Sequence, residues 1–164
     1  MNKVKAFFVL VLTSILIACG GGGSGASVST GDVSISATTN AAEMEPNDSP
    51  LNATTLITGT TMNGQLSSKL DQDWYKVTAA SAGTISVAFA GTGRNSGGYG
   101  WSISILDSAS TVLASTTASQ NSDSSAQQTI HIGVGAAGTY YVRIKESEGY
   151  SYPSSNYTIN ALTP

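Results

Sequence analysis

The sequence predicts an all-β domain, an antiparallel sandwich or barrel, and three observations carry that expectation. Short segments alternate apolar and polar residues with period 2, the repeat of a half-buried strand. Clusters of Gly, Asn, Asp and Ser separate these segments as turns do. Charged residues make up only 10% of the chain while Gly alone contributes 18 residues, which argues against long amphipathic helices.

Taken in chain order, the first element is not a strand. Lys3 and Lys5 form a short positive region, and residues 6–18 are apolar apart from Thr13 and Ser14. That is the layout of a secretory signal. A membrane span needs about 20 apolar residues. This run is shorter and stops at Gly20-Gly21-Gly22-Gly23, so residues 1–18 read as a cleaved leader. Its last residues, Leu16-Ile17-Ala18-Cys19, resemble the lipobox of bacterial lipoproteins. The resemblance implies lipidation: a diacylglyceryl group on the Cys19 thiol, cleavage before Cys19, and acylation of the new amine. Each buried methylene of such chains contributes about 0.8 kcal/mol, so several chains anchor stably. The chain is thus expected at the cell envelope, held to the membrane by lipid. Gly20 stands where an aspartate would signal inner-membrane retention, which favours the outer membrane in a Gram-negative host. Cys19 is the only cysteine, so there is no intrachain disulfide, although the compartment would permit one.

Removing residues 1–18 takes Lys+Arg from 7 to 5 and leaves all 10 acids, so the formal charge moves from -3 to 5 − 10 = -5. Nucleic acid is excluded as a partner on this count, since phosphate affinity needs clustered Lys and Arg. The remaining length suits one domain, expected to be monomeric, behind a linker. Residues 19–42 are the linker: rich in Gly, Ser, Thr and Ala, they form a flexible tether. Within it Val33-Ser34-Ile35 alternates as a short strand would.

The domain spans residues 43–164. Residues 73–78 place Tyr75 and Val77 on one face, and residues 84–89 do the same for Ile85, Val87 and Phe89. Trp101, Ile103 and Ile105 share a face in residues 100–106, and residues 111–115 form a short apolar strand. Ile130, Ile132 and Val134 point one way in residues 129–134. In residues 139–145 Tyr140, Val142 and Ile144 oppose Tyr141, Arg143 and Lys145, and Tyr157 and Ile159 close the series. Three longer connections remain, at residues 91–100, 118–126 and 146–155. Loops held on a rigid sandwich are where binding residues tend to sit. Tyr99, Tyr150 and Tyr152 fall in or beside them and are candidate ligand contacts, because exposed aromatics stack on sugars or pack on peptides. Tyr75, Tyr140 and Tyr157 fit core positions.

Catalysis finds little support. His131 is the only histidine, and alternation puts it opposite Ile130 and Ile132 on an outward face. No G-x-S-x-G accompanies it. A zinc site would need several His or Cys ligands, and residues 91–100 lack the ending of a phosphate loop. Asp71 and Asp73 lie about 7 Å apart on one strand face, a spacing seen on many domains. The acids Glu43, Glu45, Asp48, Asp71 and Asp73 crowd two short segments, with Asn47 among them. On composition alone they read as a solvated acidic turn.

The order of segments resembles the bacterial pre-peptidase C-terminal family. The matching residues begin with Glu43-Met44-Glu45-Pro46-Asn47-Asp48-Ser49-Pro50 and continue through Gly64-Gln65-Leu66 and Asp71-Gln72-Asp73-Trp74-Tyr75-Lys76-Val77. They end with Gly138-Thr139-Tyr140-Tyr141-Val142-Arg143-Ile144 and Asn156-Tyr157-Thr158-Ile159. The resemblance implies a jelly-roll-like β-sandwich that is not itself catalytic. In some members it implies calcium at the N-terminal Glu/Asn/Asp segment and collagen as ligand. Calcium takes six to eight hard oxygens in flexible geometry. The implied ligands here are Glu43, Glu45, Asn47, Asp48, Asp71 and Asp73. A binding or accessory module is therefore expected, with a protein, extracellular matrix or a secreted peptidase in trans as its partner. A polysaccharide-binding module and a purely structural envelope lipoprotein are the alternatives.

Overall fold

The computed structural model describes residues 41–92, 99–120, 126–147 and 155–164. Ten strands make up these segments: β1 (Ala41–Ala42), β2 (Thr54–Thr55), β3 (Met62–Leu66), β4 (Gln72–Ala79), β5 (Gly83–Thr92), β6 (Tyr99–Leu106), β7 (Val112–Gln120), β8 (Gln127–Val134), β9 (Gly138–Glu146) and β10 (Ser155–Leu162). One 3-10 turn, Pro50–Asn52, precedes β2. The strands form two five-stranded sheets, ordered β1-β3-β10-β5-β8 and β2-β4-β9-β6-β7. The all-β sandwich expected from the alternation is the observed architecture.

Its core is the set of inward positions that the pattern marks. Ile85, Val87, Trp101, Ile103, Ile105, Val142, Ile144, Tyr157 and Ile159 are almost fully buried between the sheets. Side chains of this size contribute about 1.5–3 kcal/mol each when buried. Phe89 stacks on Tyr157, with ring centroids 5.3 Å apart. On the outer face of the second sheet, Arg143 lies over the Trp74 ring and Tyr141 meets it edge-on. Tyr141 is thereby half-buried.

Four elements differ from the sequence expectation. Strand β3 is absent from it, because Gly64 occupies an inward position and hides the alternation of Met62, Gly64 and Leu66. Strands β1 and β2 have two residues each, too few to show any period. Strand β7 runs to Gln120, well past residue 115. Its Val112 and Leu113 are exposed at 48% and 46% while Ala118 is buried, so small and polar residues carry most of the strand. The connections are correspondingly shorter than expected, since Gly91, Thr92, Tyr99 and the 118–120 stretch belong to strands. The residues Cys19, Val33, Ser34, Ile35, Tyr150 and Tyr152 lie outside the described residues, as does the side chain of Tyr99.

Candidate metal centre

The chain from Ala41 to Leu56 forms a strap joining the outer edges of the two sheets. Strand β1 pairs with β3 in parallel, and β2 pairs with β4 in parallel. Between them, Glu43 N–H donates to the Asn63 carbonyl at 3.0 Å. Trp74 N–H donates to the Asn47 carbonyl at 2.9 Å, and Leu56 N–H to that of Lys76. Thr54 Oγ accepts from Met44 N–H at 3.2 Å and lies 3.3 Å from its carbonyl. An edge strand must have its free backbone groups covered, and here the strap covers both edges.

At the crossing point the strap brings its carboxylates to the start of β4. One carboxylate oxygen from each of Glu43, Glu45 and Asp73 lies within 4.8 Å of the others. Calcium–oxygen distances are about 2.3–2.6 Å, so oxygens sharing one ion are separated by at most roughly twice that length. Glu43 Oε1 accepts from Gln65 N–H at 2.6 Å. Glu45 Oε2 accepts from Asn47 N–H at 2.9 Å. The Asn47 amide nitrogen donates to Glu43 Oε2 at 3.3 Å. Asn47 and Asp73 are fully buried, yet Asn47 Oδ1 and Asp73 Oδ1 have no hydrogen-bond partner. A buried acceptor without a donor costs about 1–3 kcal/mol, more when charged. Two such oxygens beside two more carboxylates are a donor set suited to a hard cation.

Two tyrosines complete the site. The Tyr75 hydroxyl donates to Glu43 Oε2 at 2.5 Å and lies 2.7 Å from the Tyr157 hydroxyl. The Tyr157 hydroxyl in turn contacts Asp73 Oδ2. Glu43, Tyr75, Tyr157 and Asp73 thus form a chain of three oxygen–oxygen contacts. The Tyr75 hydroxyl donates to Glu43 and the Tyr157 hydroxyl to Asp73 Oδ2. Burial is the main cause that pushes the Asp73 carboxyl up to about 8, and the Glu43, Asp71 and Glu45 carboxylates add to it. Burial, then the adjacent Glu43, raises the Tyr75 hydroxyl, and burial first raises Tyr157. Glu45 is exposed as a residue, but partial desolvation of its carboxylate, then Asp71, Glu43 and Asp48, raises it too. The Tyr157 ring reaches this position because its cross-strand neighbour is Gly64. A Cβ there would overlap the ring.

Of the six residues that the sequence suggests as ligands, Glu43, Glu45 and Asp73 converge, and Asn47 bonds to the two glutamates through its amide nitrogen and backbone N–H. Asp71 is turned to its own loop: its Oδ2 accepts from Ser67 N–H at 2.5 Å and from Ser67 Oγ at 2.7 Å. Asp48 Oδ1 accepts from Gln72 N–H at 3.4 Å and ties the strap to β4. Tyr75 and Tyr157 are buried core residues, as their alternation implies, but their hydroxyls belong to the site. The available signal was, for Tyr75 alone, a tyrosine in place of phenylalanine at a core position two residues from an acid, Asp73. His131 is exposed, with Nδ1 2.8 Å from Ser86 Oγ on the neighbouring strand.

Comparison with known proteins bears on the strands behind this site. Residues 71–146 match the bacterial pre-peptidase C-terminal domain family. The match runs from Asp71 through β9; it contains Asp73 and Tyr75 and stops short of the strap and of Tyr157, a narrower stretch than the sequence resemblance spans. Among solved structures, a 1.0 Å crystal structure of the pre-peptidase C-terminal domain of collagenase from Bacillus anthracis is similar at 17% identity. The similarity covers 66% of this chain and 93% of that one, with a TM-score of 0.46. No curated protein matches the chain.

Proposed function

We propose that this chain is a non-catalytic binding or accessory module of the cell envelope, anchored through Cys19 and stabilised by calcium at Glu43, Glu45, Asn47 and Asp73. The observation that carries the metal reading is the pair of buried, unpartnered oxygens, Asn47 Oδ1 and Asp73 Oδ1, set beside two further carboxylates. Calcium would satisfy both and neutralise the group, fixing the strap across the two sheet edges. The family match on residues 71–146 supports an accessory role. The ligand is then a protein, a matrix component or a secreted peptidase acting in trans. Anchoring rests on the Leu16-Ile17-Ala18-Cys19 motif. In a Gram-negative host, Gly20 in place of a retention aspartate favours the outer membrane. Among the described residues no helix is long and apolar enough to cross a membrane.

Polysaccharide is the second reading, favoured by one feature. A shallow groove of about 240 Å³ opens on the first sheet, with Ala88 and Ala90 among its lining. Gln127, Thr129, Thr158 and Asn160 border it with uncharged hydrogen-bonding groups, which suit neutral hydroxyls. Glycan and protein arrays on the purified protein separate the two readings.

Calorimetric titration tests the metal. Extracellular calcium modules bind at about 10⁻⁴–10⁻³ M. At ten times the dissociation constant, linkage adds about 1.4 kcal/mol, or a melting shift of roughly 3–8 °C. Matched NaCl should not reproduce it, and Glu45→Ala should remove it. No binding heat and no calcium-specific shift would return the group to a solvated acidic turn.

A further inference from the structure

The two sides of the sandwich end differently. On the strap side each sheet finishes in a two-residue strand, β1 or β2. On the other side the sheets finish in β7, nine residues long, and β8, eight residues long, which lie near each other. Among the described residues no strand pairs with the outer edge of either. A long free edge presents unpaired N–H and C=O groups to any other chain, and proteins guard such edges with Lys, Pro, bulges or very short strands. The strap side has the short strands. Neither β7 nor β8 contains Lys, Arg, Asp, Glu or Pro. The one irregularity in the β6–β7 ladder lies at its start, between Ile105 and Leu106, and leaves the rest of β7 regular. That start is also held in place. Asp107 Oδ1 accepts from Ala109 N–H at 2.9 Å and from Thr111 N–H at 2.8 Å. An edge already ordered loses little freedom on pairing.

Charge and sequence select the occupant. Residues 108–142 hold one carboxylate, Asp123, and no Lys or Arg. The chain as a whole is acidic, at a formal -3, so copies of it repel where their charges face one another. Along β7 two copies meet without that repulsion, whereas a charged partner finds nothing there to pair with. Within the strand, Ala114-Ser115-Thr116-Thr117-Ala118 reads nearly the same in both directions. Two antiparallel copies centred on Thr116 set Ala114 opposite Ala118, Ser115 opposite Thr117, and Thr116 opposite itself. Ala114 and Thr116 are half-buried and Ala118 is buried, while Ser115 and Thr117 are exposed. This register therefore sets inward side chains opposite inward ones, and the inner faces of the two sheets stay on one side. Small residues meet small ones and hydroxyls meet hydroxyls, as cross-strand pairs favour.

We propose that β7 pairs with β7 of a second copy of this chain, antiparallel about a two-fold axis at Thr116. The contact is isologous, and it joins two five-stranded sheets into one of ten strands. It stands in place of the monomer expected from chain length, and it depends on neither the metal nor the anchor.

Sedimentation equilibrium of the full chain in density-matched detergent tests this. The parent should have the mass of a dimer. Thr116→Lys and Thr116→Glu each set two like charges opposite one another at the axis, so each alone should be monomeric. An equimolar mixture sets Lys against Glu and should return the dimer mass, which also shows that both variants fold. Hydrogen exchange of the parent needs no variant. Amides of residues 112–120 should gain protection as concentration rises through the dimerisation range, and those of β4 should not. A parent that stays monomeric up to about 0.1 mM overturns the proposal. So does a dimer that both variants leave intact, or one whose formation leaves exchange in β7 unchanged, because association then uses another surface.

Discussion

Asp73→Asn removes an ionisable group from the candidate metal centre while keeping its shape, and it makes the electrostatic argument measurable. Asp73 is fully buried, and its carboxyl is pushed up from 3.8 to about 8, chiefly by burial. A group whose folded pKa is raised contributes stability that is complete below its unfolded value and is lost as pH rises through its folded value. The window here runs from 3.8 to about 8. In EGTA, parent and variant should be close to equal at the acid end. Above it the parent should fall behind by about 1.4 kcal/mol per pH unit, or roughly 4–8 °C of melting temperature per unit. Subtracting the variant cancels the titration of the other acids. Calcium should reverse the order: by binding the carboxylate it should stabilise the parent and leave Asp73→Asn unchanged. Below about pH 8 the parent's apparent calcium affinity should weaken about tenfold per pH unit, as a proton must leave for the ion to bind. Thermal melts of both proteins across this range, in EGTA and in calcium, read all of this. A parent-minus-variant difference in EGTA that stays flat with pH would refute the reasoning.

Gly64→Ala places a Cβ against the Tyr157 ring; it should destabilise the fold by about 1–3 kcal/mol and weaken the calcium response, as melting and titration would show. Cys19→Ser should block lipidation and normal maturation; mass spectrometry of the parent's membrane fraction should find acylated Cys19 as the first residue. His131→Ala removes an exposed ring whose Nδ1 meets the Ser86 hydroxyl, so stability should stay within about 0.5 kcal/mol of the parent, and any ligand binding found on the arrays should persist.

Strands with a one-sided apolar period were legible in the sequence, because burial of one face imposes that period. Strands β4, β5, β6, β8, β9 and β10 all show it. Strand β3 was not, since Gly64 yields its inward place to the Tyr157 ring. Strand β7 was half legible: its core contact comes from Ala118, whose small side chain gives little hydrophobic signal. At the site, the two acidic segments offered six residues together; the structure brings Glu43, Glu45 and Asp73 close with Asn47 bonded beside them, a subset the sequence could not separate from Asp48 and Asp71. That division depends on hydrogen bonds to Ser67 and Gln72, which local turn geometry decides. Tyr75 and Tyr157 were read as core, because alternation reports where a ring is buried and says nothing of where its hydroxyl ends.

The strap also determines how the domain bears load. A pull transmitted through the N-terminal chain arrives at Ala41 and meets first the two-residue β1–β3 ladder, then Glu43 and its partners. The eight longer strands lie behind that point. Calcium at Glu43, Glu45 and Asp73 would therefore act as a mechanical latch in series with any pull from the N-terminal side. Its release would pay out residues 41–56 as slack, roughly 50 Å of chain at about 3.3 Å per residue, before the sandwich yields. Single-molecule stretching should show that step at higher force in calcium than in EGTA, and a force unaffected by calcium would place the first resistance elsewhere.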